Sequence, residues 1–319
     1  MARRTCRTDD GRSIALSVRS RVDPLSQPLV TLIAGPTASG KSRLAMERAR
    51  ETNAVIINAD SQQLYADLRV LSARPSIEDE AEIPHRLYGV ADAADAWSVG
   101  RWSRTVMDVL AELAAQGRSA LLVGGTGLYF NALTRGLAQI PPVPIEIRDA
   151  VQVEFDSEGE APFRRRLAEI DPAAEAVILP GDRQRLVRAL SVHRASDRAL
   201  SVWQGETQPL LPPGSYNAVV VEPPRDRLYA SCDMRVDAMM AHGALDEVHA
   251  LSTRKLDPGL PAMKAVGVRE LAAHLAGELS LDNAVTAVKQ STRKYAKRQL
   301  TWFRNQQRDW SRLKDQGSI

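Results

Sequence analysis

Residues 30–42 read Val-Thr-Leu-Ile-Ala-Gly-Pro-Thr-Ala-Ser-Gly-Lys-Ser. The run of β-formers from Val30 to Ile33 predicts a buried strand, and the Gly-x-x-x-x-Gly-Lys-Ser loop behind it opens onto a helical pattern containing Leu44, Ala45 and Met46. Gly35 and Gly40 let the backbone curl so that successive N–H groups converge on a phosphate at the helix N-terminus, where the helix dipole also favours negative charge. Lys41 adds a mobile cation, and the Ser42 hydroxyl can ligate Mg2+. The alternative is a glycine-rich turn with an incidental lysine. Strand, loop and helix fall in the order that a phosphate cradle needs, which favours the cradle.

Moving outward, residues 53–58 read as a second buried strand whose end carries Asp60 and Ser61. In open parallel sheets ligands collect beyond the carboxyl ends of strands, so Asp60 should face the same crevice as the cradle and is a candidate base. It could instead cap a following helix. Gln62, Gln63 and Tyr65 come next, polar groups suited to a partner with hydrogen-bonding edges. Residues 87–90 suggest a short strand, and 98–116 a helix through Trp102, Val106, Val109, Leu110 and Leu113, stopped by Gly117. Residues 119–123 are a third buried strand that ends in Gly124-Gly125-Thr126-Gly127 before another helix. This alternation predicts a parallel α/β sheet. A P-loop ATPase would hold its Mg2+ with an Asp at the end of such a strand. Glycines and a threonine stand there instead, which disfavours an ATPase.

From Pro141 to about Leu200 helices separated by Pro, Gly and Asp replace the alternation. This segment carries Arg148, the cluster Arg164, Arg165, Arg166, and the run from Asp182 to Arg188, in which Gln184 and Arg188 share one helical face. Residues 218–221 return to a buried strand, and a long helix from about Asp226 carries Arg235. The C-terminal part, to about Trp310, is expected to be helical. Its last helix carries Lys289, Arg293 and Lys297 at four-residue spacing, with Lys294, Arg298, Arg304 and Arg308 beside them and Asp309 as the only acid within the stripe. Such a stripe suits a phosphate backbone.

The reading is therefore an α/β fold. A P-loop NTPase-like parallel sheet core is formed by 29–140 and 200–319, with a helical insertion at 141–199 and a mobile N-terminal extension at 1–28. With 319 residues and 44% hydrophobic content the chain can bury a core, and its net charge of +3 leaves the location of charge to decide any nucleic-acid role. Cys6 and Cys232 cannot make a disulfide framework or a four-cysteine zinc site, which fits a reducing cytoplasm. No stretch approaches the roughly 18 consecutive apolar residues of a membrane span.

These residues resemble the tRNA dimethylallyltransferases, also called tRNA isopentenyltransferases, of bacterial type. The resemblance lies in Gly-Pro-Thr-Ala-Ser-Gly-Lys-Ser at 35–42, Asp-Ser-Gln-Gln-Leu-Tyr at 60–65, Pro-His-Arg-Leu at 84–87 and Leu-Val-Gly-Gly-Thr-Gly-Leu-Tyr at 122–129. It continues with Asp-Arg-Gln-Arg-Leu-Val-Arg-Ala at 182–189, Arg-Val-Asp-Ala-Met at 235–239, Ala-Val-Gly-Val-Arg-Glu at 265–270 and Ala-Lys-Arg-Gln-Leu-Thr-Trp-Phe-Arg at 296–304. The set spans nearly the whole chain after Leu29.

The resemblance implies transfer of a prenyl group from dimethylallyl diphosphate to the exocyclic amine of the adenosine beside the anticodon in tRNA, with Mg2+ as cofactor. It implies diphosphate binding by Gly35, Pro36, Thr37, Ala38, Ser39, Gly40, Lys41, Ser42 and Arg235. It makes Asp60 the general base, with Lys41 and Arg235 acting on the leaving group. It further implies that Asp60, Ser61, Gln62, Gln63, Thr126, Arg148, Gln184, Arg185, Leu186, Val187 and Arg188 contact tRNA, whose anticodon stem-loop the insertion would hold. A monomer is the default expectation. Members usually follow the tyrosine with a Gly and then a Gly-Thr-Ala-Lys-Pro run, whereas Tyr65 here is followed by Ala-Asp-Leu-Arg-Val-Leu-Ser-Ala-Arg-Pro, so that Ser-Ala-Arg-Pro at 72–75 keeps the charge and loses the glycine. Many members also carry an arginine where Ser231 stands. Two rival readings remain: a P-loop small-molecule kinase using Asp60 as base, and an RNA-binding module switched by a nucleotide.

Overall fold

The computed structural model describes residues 30–314; the segment expected to be a mobile extension, 1–28, lies outside them. Six strands form one sheet: β1 (Val30–Ala34), β2 (Val55–Asn58), β3 (His85–Arg86), β4 (Ala120–Gly124), β5 (Asn217–Val221) and β6 (Ser311–Leu313). Their order is β3-β2-β4-β1-β5-β6, and every pairing is parallel. Register aligns Ala34 with Gly124 and Asn58 with Val123, so the loops leaving β1, β2 and β4 emerge side by side at one level. Parallel strands need crossovers, and these put helices on both faces. α1 (Lys41–Thr52) packs on one side, where Leu44 and Met46 meet Ile33, Ile56, Val123 and Val219. The other side buries Leu32, Ile57, Leu122 and Val220 beneath Trp102, Phe130 and Phe303. With both faces covered, β2 and β4 are buried at every residue, which is why they read as unbroken apolar runs.

The remaining helices before the insertion are α2 (Ile77–Glu82), α3 (Val99–Ala115) and α4 (Gly127–Thr134). The insertion consists of α5 (Ile145–Glu158), α6 (Glu160–Ile170), α7 (Pro172–Val177), α8 (Arg183–Ser196) and α9 (Leu200–Gly205), so its last helix runs past residue 199. These five gather around their own apolar cluster, with Val151, Phe163, Leu167, Leu186 and Leu190 at its centre. Asp171, 2% exposed, caps α7 through the Ala174 amide at 3.0 Å and accepts the Ser201 amide at 2.9 Å, tying α9 down. After β5 come α10 (Arg225–Ala241), α11 (Ala244–Thr253), α12 (Val268–Leu275) and α13 (Leu281–Gln306). The inner stripe of α13, Ala284, Val288, Thr292, Ala296, Gln299, Leu300 and Phe303, follows helical spacing.

Two expectations shift. The strand expected at 87–90 is β3, two residues earlier, because Leu87 (φ 65°) and Gly89 (φ 58°) take left-handed conformations that end the extended backbone. A side chain at Gly89 would run into the Arg74 guanidinium. The C-terminus adds β6, which the sequence reading did not contain: Ser-Arg-Leu is too short and polar to show alternation, and it pairs as an edge strand with Val219–Val221.

Candidate active site

The cradle is shaped by three backbone constraints. Gly40 sits at φ 87° ahead of α1, and Ala38 is held at φ 62°, a left-handed conformation rarely taken by a residue with a side chain. A Cβ at Gly35 would come within 2.8 Å of both the Val221 carbonyl and Ser39 Oγ, so only glycine fits. Lys41 is buried, and its Nζ donates to the Pro36 carbonyl at 3.2 Å. Burial lowers its pKa to about 8; nearby Asp60 works against that drop and Arg235 adds to it. Arg235 comes from α10 and donates to Thr37 Oγ1 at 3.3 Å. Its guanidinium pKa is lowered by burial, with Asp60 opposing. Lys41, Asp60 and Arg235, remote in sequence, thus share one electrostatic field. Ser42 is exposed at the start of α1 and lines a cavity of about 130 Å3 with Arg235, Tyr88, Asp79 and Arg74.

Asp60 does not cap a helix. Only 8% exposed, it is fixed by Asn58, whose Oδ1 accepts the Asp60 amide at 2.7 Å and whose Nδ2 donates to the carbonyls of Asp60 and Leu87, both at 2.9 Å. Trp102 Nε1 donates to the Asn58 carbonyl at 3.0 Å. Asp60 Oδ1 accepts the Gln62 amide at 3.0 Å, an Asx turn, while Oδ2 takes no hydrogen bond from the described residues. One carboxylate oxygen is used to aim the other.

The glycines after β4 make room. A Cβ at Gly124 would fall 2.0 Å from the Ala59 carbonyl, and one at Gly125 would lie 2.1 Å from Gln299 Nε2 and 3.2 Å from Asp60 Oδ2. Thr126 Oγ1 accepts the Ser61 amide at 2.9 Å and donates to Ser61 Oγ at 3.3 Å, joining the loops after β2 and β4. Burial of Tyr295 on α13, beside Thr126 and reinforced by nearby Asp60, raises its pKa. Asn58, Tyr295 and Gln299 escaped sequence reasoning. Their signal was a polar side chain on an otherwise apolar strand or helix stripe.

Other expected residues lie apart. Gln63 Nε2 is spent inside its own loop on the carbonyls of Ser72 and Ala73, at 3.1 and 2.7 Å. Arg148 is exposed on α5 and pairs with Asp149 at 3.3 Å. Gln184, Arg185 and Arg188 are exposed on α8, and the two arginines line a cleft of about 1030 Å3 between insertion and core, opposite Leu128, Arg135 and Gln306. The side chains of Leu186 and Val187 point the other way, into the core of the insertion. The basic stripe of α13 is less free than its sequence suggests. Lys289 is bound to Asp237 at 2.8 Å, Arg293 to Asp233 at 2.5 Å and Arg304 to Glu222 at 2.7 Å, acids that only folding brings beside it.

A family model described as IPP transferase matches residues 63–306, and one described as isopentenyl transferase matches 28–94. The chain belongs to the IPP transferase family. Among curated members, it is 57% identical over 287 residues to a tRNA dimethylallyltransferase of Phenylobacterium zucineum (strain HLK1), covering 90% of this chain and 93% of the relative. It is 55% identical to the tRNA dimethylallyltransferase of Caulobacter sp. (strain K31), covering 89% and 92%. The tRNA isopentenylpyrophosphate transferase structure from Bacillus halodurans superposes with a TM-score of 0.63 at 29% identity, over 89% of each chain. A eukaryotic dimethylallyltransferase acting on tRNA shares the fold at a TM-score of 0.77 and 24% identity, over 89% of this chain and 73% of that one.

Proposed function

We propose that this IPP transferase family member moves a dimethylallyl group from dimethylallyl diphosphate to N6 of the adenosine 3′ to the anticodon in tRNA. The observation that carries this is the convergence of Lys41, Arg235 and the free oxygen of Asp60 on one cradle whose neighbouring strand end, Gly124-Gly125, presents backbone where an ATPase needs a carboxylate. In the transfer, a carbon–nitrogen bond forms at N6 as the carbon–oxygen bond to diphosphate breaks. The leaving electron pair stays on diphosphate, where Lys41 and Arg235 meet the growing charge. Asp60 takes the N6 proton, and Asn58 holds it in place to do so. The adenosine must leave its stack to reach this crevice.

Mg2+ fits the residues present. No group of three His, Cys, Asp or Glu stands ready for a metal among the described residues, so a cation here would take the Ser42 hydroxyl, diphosphate oxygens and water, the hard oxygen set Mg2+ prefers. When bound it would neutralise leaving-group charge. Arg148, Gln184, Arg185 and Arg188, with Ser61, Gln62 and Thr126, are the proposed tRNA contacts; Leu186 and Val187 could contribute only backbone. One copy of the chain holds all these groups, so we take a monomer as the working state, and we place it in the cytoplasm with its proposed tRNA substrate. No described helix is long and apolar enough to cross a membrane.

Incubating the protein with radiolabelled dimethylallyl diphosphate, Mg2+ and tRNA bearing adenosine 3′ to the anticodon should label the RNA, while ATP is not consumed. Phosphoryl transfer from ATP to a small molecule without labelled RNA would establish the kinase instead.

A further inference from the structure

Thr37, the third residue of the cradle, does not aim its amide into the loop. Its N–H donates to Gln299 Oε1 at 2.8 Å, across 262 residues of chain. The same side chain donates from Nε2 to the Gly125 carbonyl at 2.9 Å. Gln299 is 6% exposed and lies against Gly125, where a missing methyl leaves room for its amide on one side and Asp60 Oδ2 on the other. Both ends of the amide are therefore used, one on the donor cradle and one on the loop that flanks the base. An apolar residue could fill this space without the cost of burying an amide, so volume alone does not explain it.

The neighbours on α13 point the same way. Tyr295, one turn earlier, lies beside Thr126; Trp302, one turn later, covers Gly127, where a Cβ would fall 2.0 Å from its Cδ1. Positions 295, 299 and 302 thus dock one face of α13 along residues 125–127. Thr37 is meanwhile gripped twice, through its amide by Gln299 and through its hydroxyl by Arg235.

We infer that Gln299 is a positioning residue that sets the donor cradle in register with Asp60, tying both to α13. This rests on the proposed prenyl transfer. Diphosphate is held by the cradle and the adenine amine by the Asp60 side, so the two reacting atoms keep their separation only while the 35–42 and 124–127 loops keep theirs. A displacement of about 1 Å in such a pair costs on the order of 10²-fold in rate. Because each substrate's own contacts survive, the loss belongs in kcat.

Two variants test this. Gln299→Met keeps the volume and removes both hydrogen bonds; it should lower kcat by about 10- to 100-fold with both KM values within about threefold of wild type. Gln299→Glu adds a readout that packing alone would not move. When its carboxyl is protonated it can still accept from Thr37 and donate to Gly125, and when ionised it repels the Gly125 carbonyl. The ratio of its kcat to that of wild type should therefore rise severalfold from pH 8 to pH 6, since burial raises a carboxyl pKa. A wild-type kcat for Gln299→Met, a loss confined to KM, or a pH-independent ratio for Gln299→Glu would overturn the inference; if Gln299→Met does not fold, the ratio decides. Wild type is assayed first: a chain that labels no tRNA overturns the proposed reaction itself, whereas labelling by wild type and Gln299→Met alike overturns only the role of Gln299.

Discussion

Lys41 gives up hydration to sit beneath the cradle, and its pKa of about 8 measures that sacrifice. Its ordinary value is 10.5, so the unfolded chain binds more protons than the folded one between pH 8 and 10.5. Stability therefore rises with pH across that window, and below pH 8 the burial cost of the charge is present in full. Donor binding has the opposite sign, because an ester diphosphate needs the ammonium. Affinity for dimethylallyl diphosphate in the absence of tRNA should fall about tenfold per pH unit above pH 8, measured by calorimetry. Lys41→Arg should remove that fall, as a guanidinium stays charged. In the proposed transfer Asp60 belongs to the other half of the reaction, as base. Asp60→Asn should keep the Asx turn to Gln62 and lower turnover by about 10²-fold or more, with tRNA binding within a few-fold. Unchanged turnover in a single-turnover assay would take Asp60 out of the proton transfer.

At the scale of elements, α13 has two faces with different work. Lys289 and Arg293 are turned to α10 and hold Asp237 and Asp233, whereas Lys294, Lys297 and Arg298 are exposed and make no ion pair among the described residues. Only cations not already neutralised by the protein release counterions from RNA in full. Replacing Lys294, Lys297 and Arg298 together by Gln should weaken tRNA binding and lower the slope of log affinity against log salt by about two to three units. Replacing Lys289 and Arg293 should change that slope by less than about one unit and cost no more than about 1 kcal/mol per pair in stability. The sequence showed the stripe but not its partners, since Asp233, Asp237 and Glu222 meet α13 only through tertiary packing. The same limit applies at the site. The cradle and the position of Asp60 just past β2 were legible because local pattern dictates them: a glycine loop between strand and helix, and an Asp-Ser pair directly after an apolar run. Asn58 and Gln299 were not, because their roles depend on which distant backbone groups come within reach. β6 was missed for a related reason, its pairing being supplied by β5 and not by its own three residues.

At the scale of the whole molecule, the insertion hangs from the sheet by two connections that touch. A Cβ at Gly136 would fall 2.2 Å from the Gln208 carbonyl, and the Leu211 amide donates to the Leu133 carbonyl at 2.8 Å. The chain thus leaves the core and returns to it at nearly the same place. The helices between have an apolar cluster of their own, and the sheet clusters include none of their residues. Such geometry permits excision, because closing a short loop across adjacent ends costs little and strands no core side chain. Replacing residues 139–206 by a short Gly-Ser linker should leave a core that unfolds cooperatively in thermal melts and binds dimethylallyl diphosphate within a few-fold of the full chain, since Lys41, Asp60 and Arg235 all lie outside the cut. It should lose tRNA affinity by on the order of 10²-fold, as Arg148, Arg185 and Arg188 leave together with their wall of the cleft. A shortened core that still binds tRNA at full strength would move the proposed RNA surface onto α13 and its neighbours alone; a core that no longer folds would show that the insertion supports the sheet.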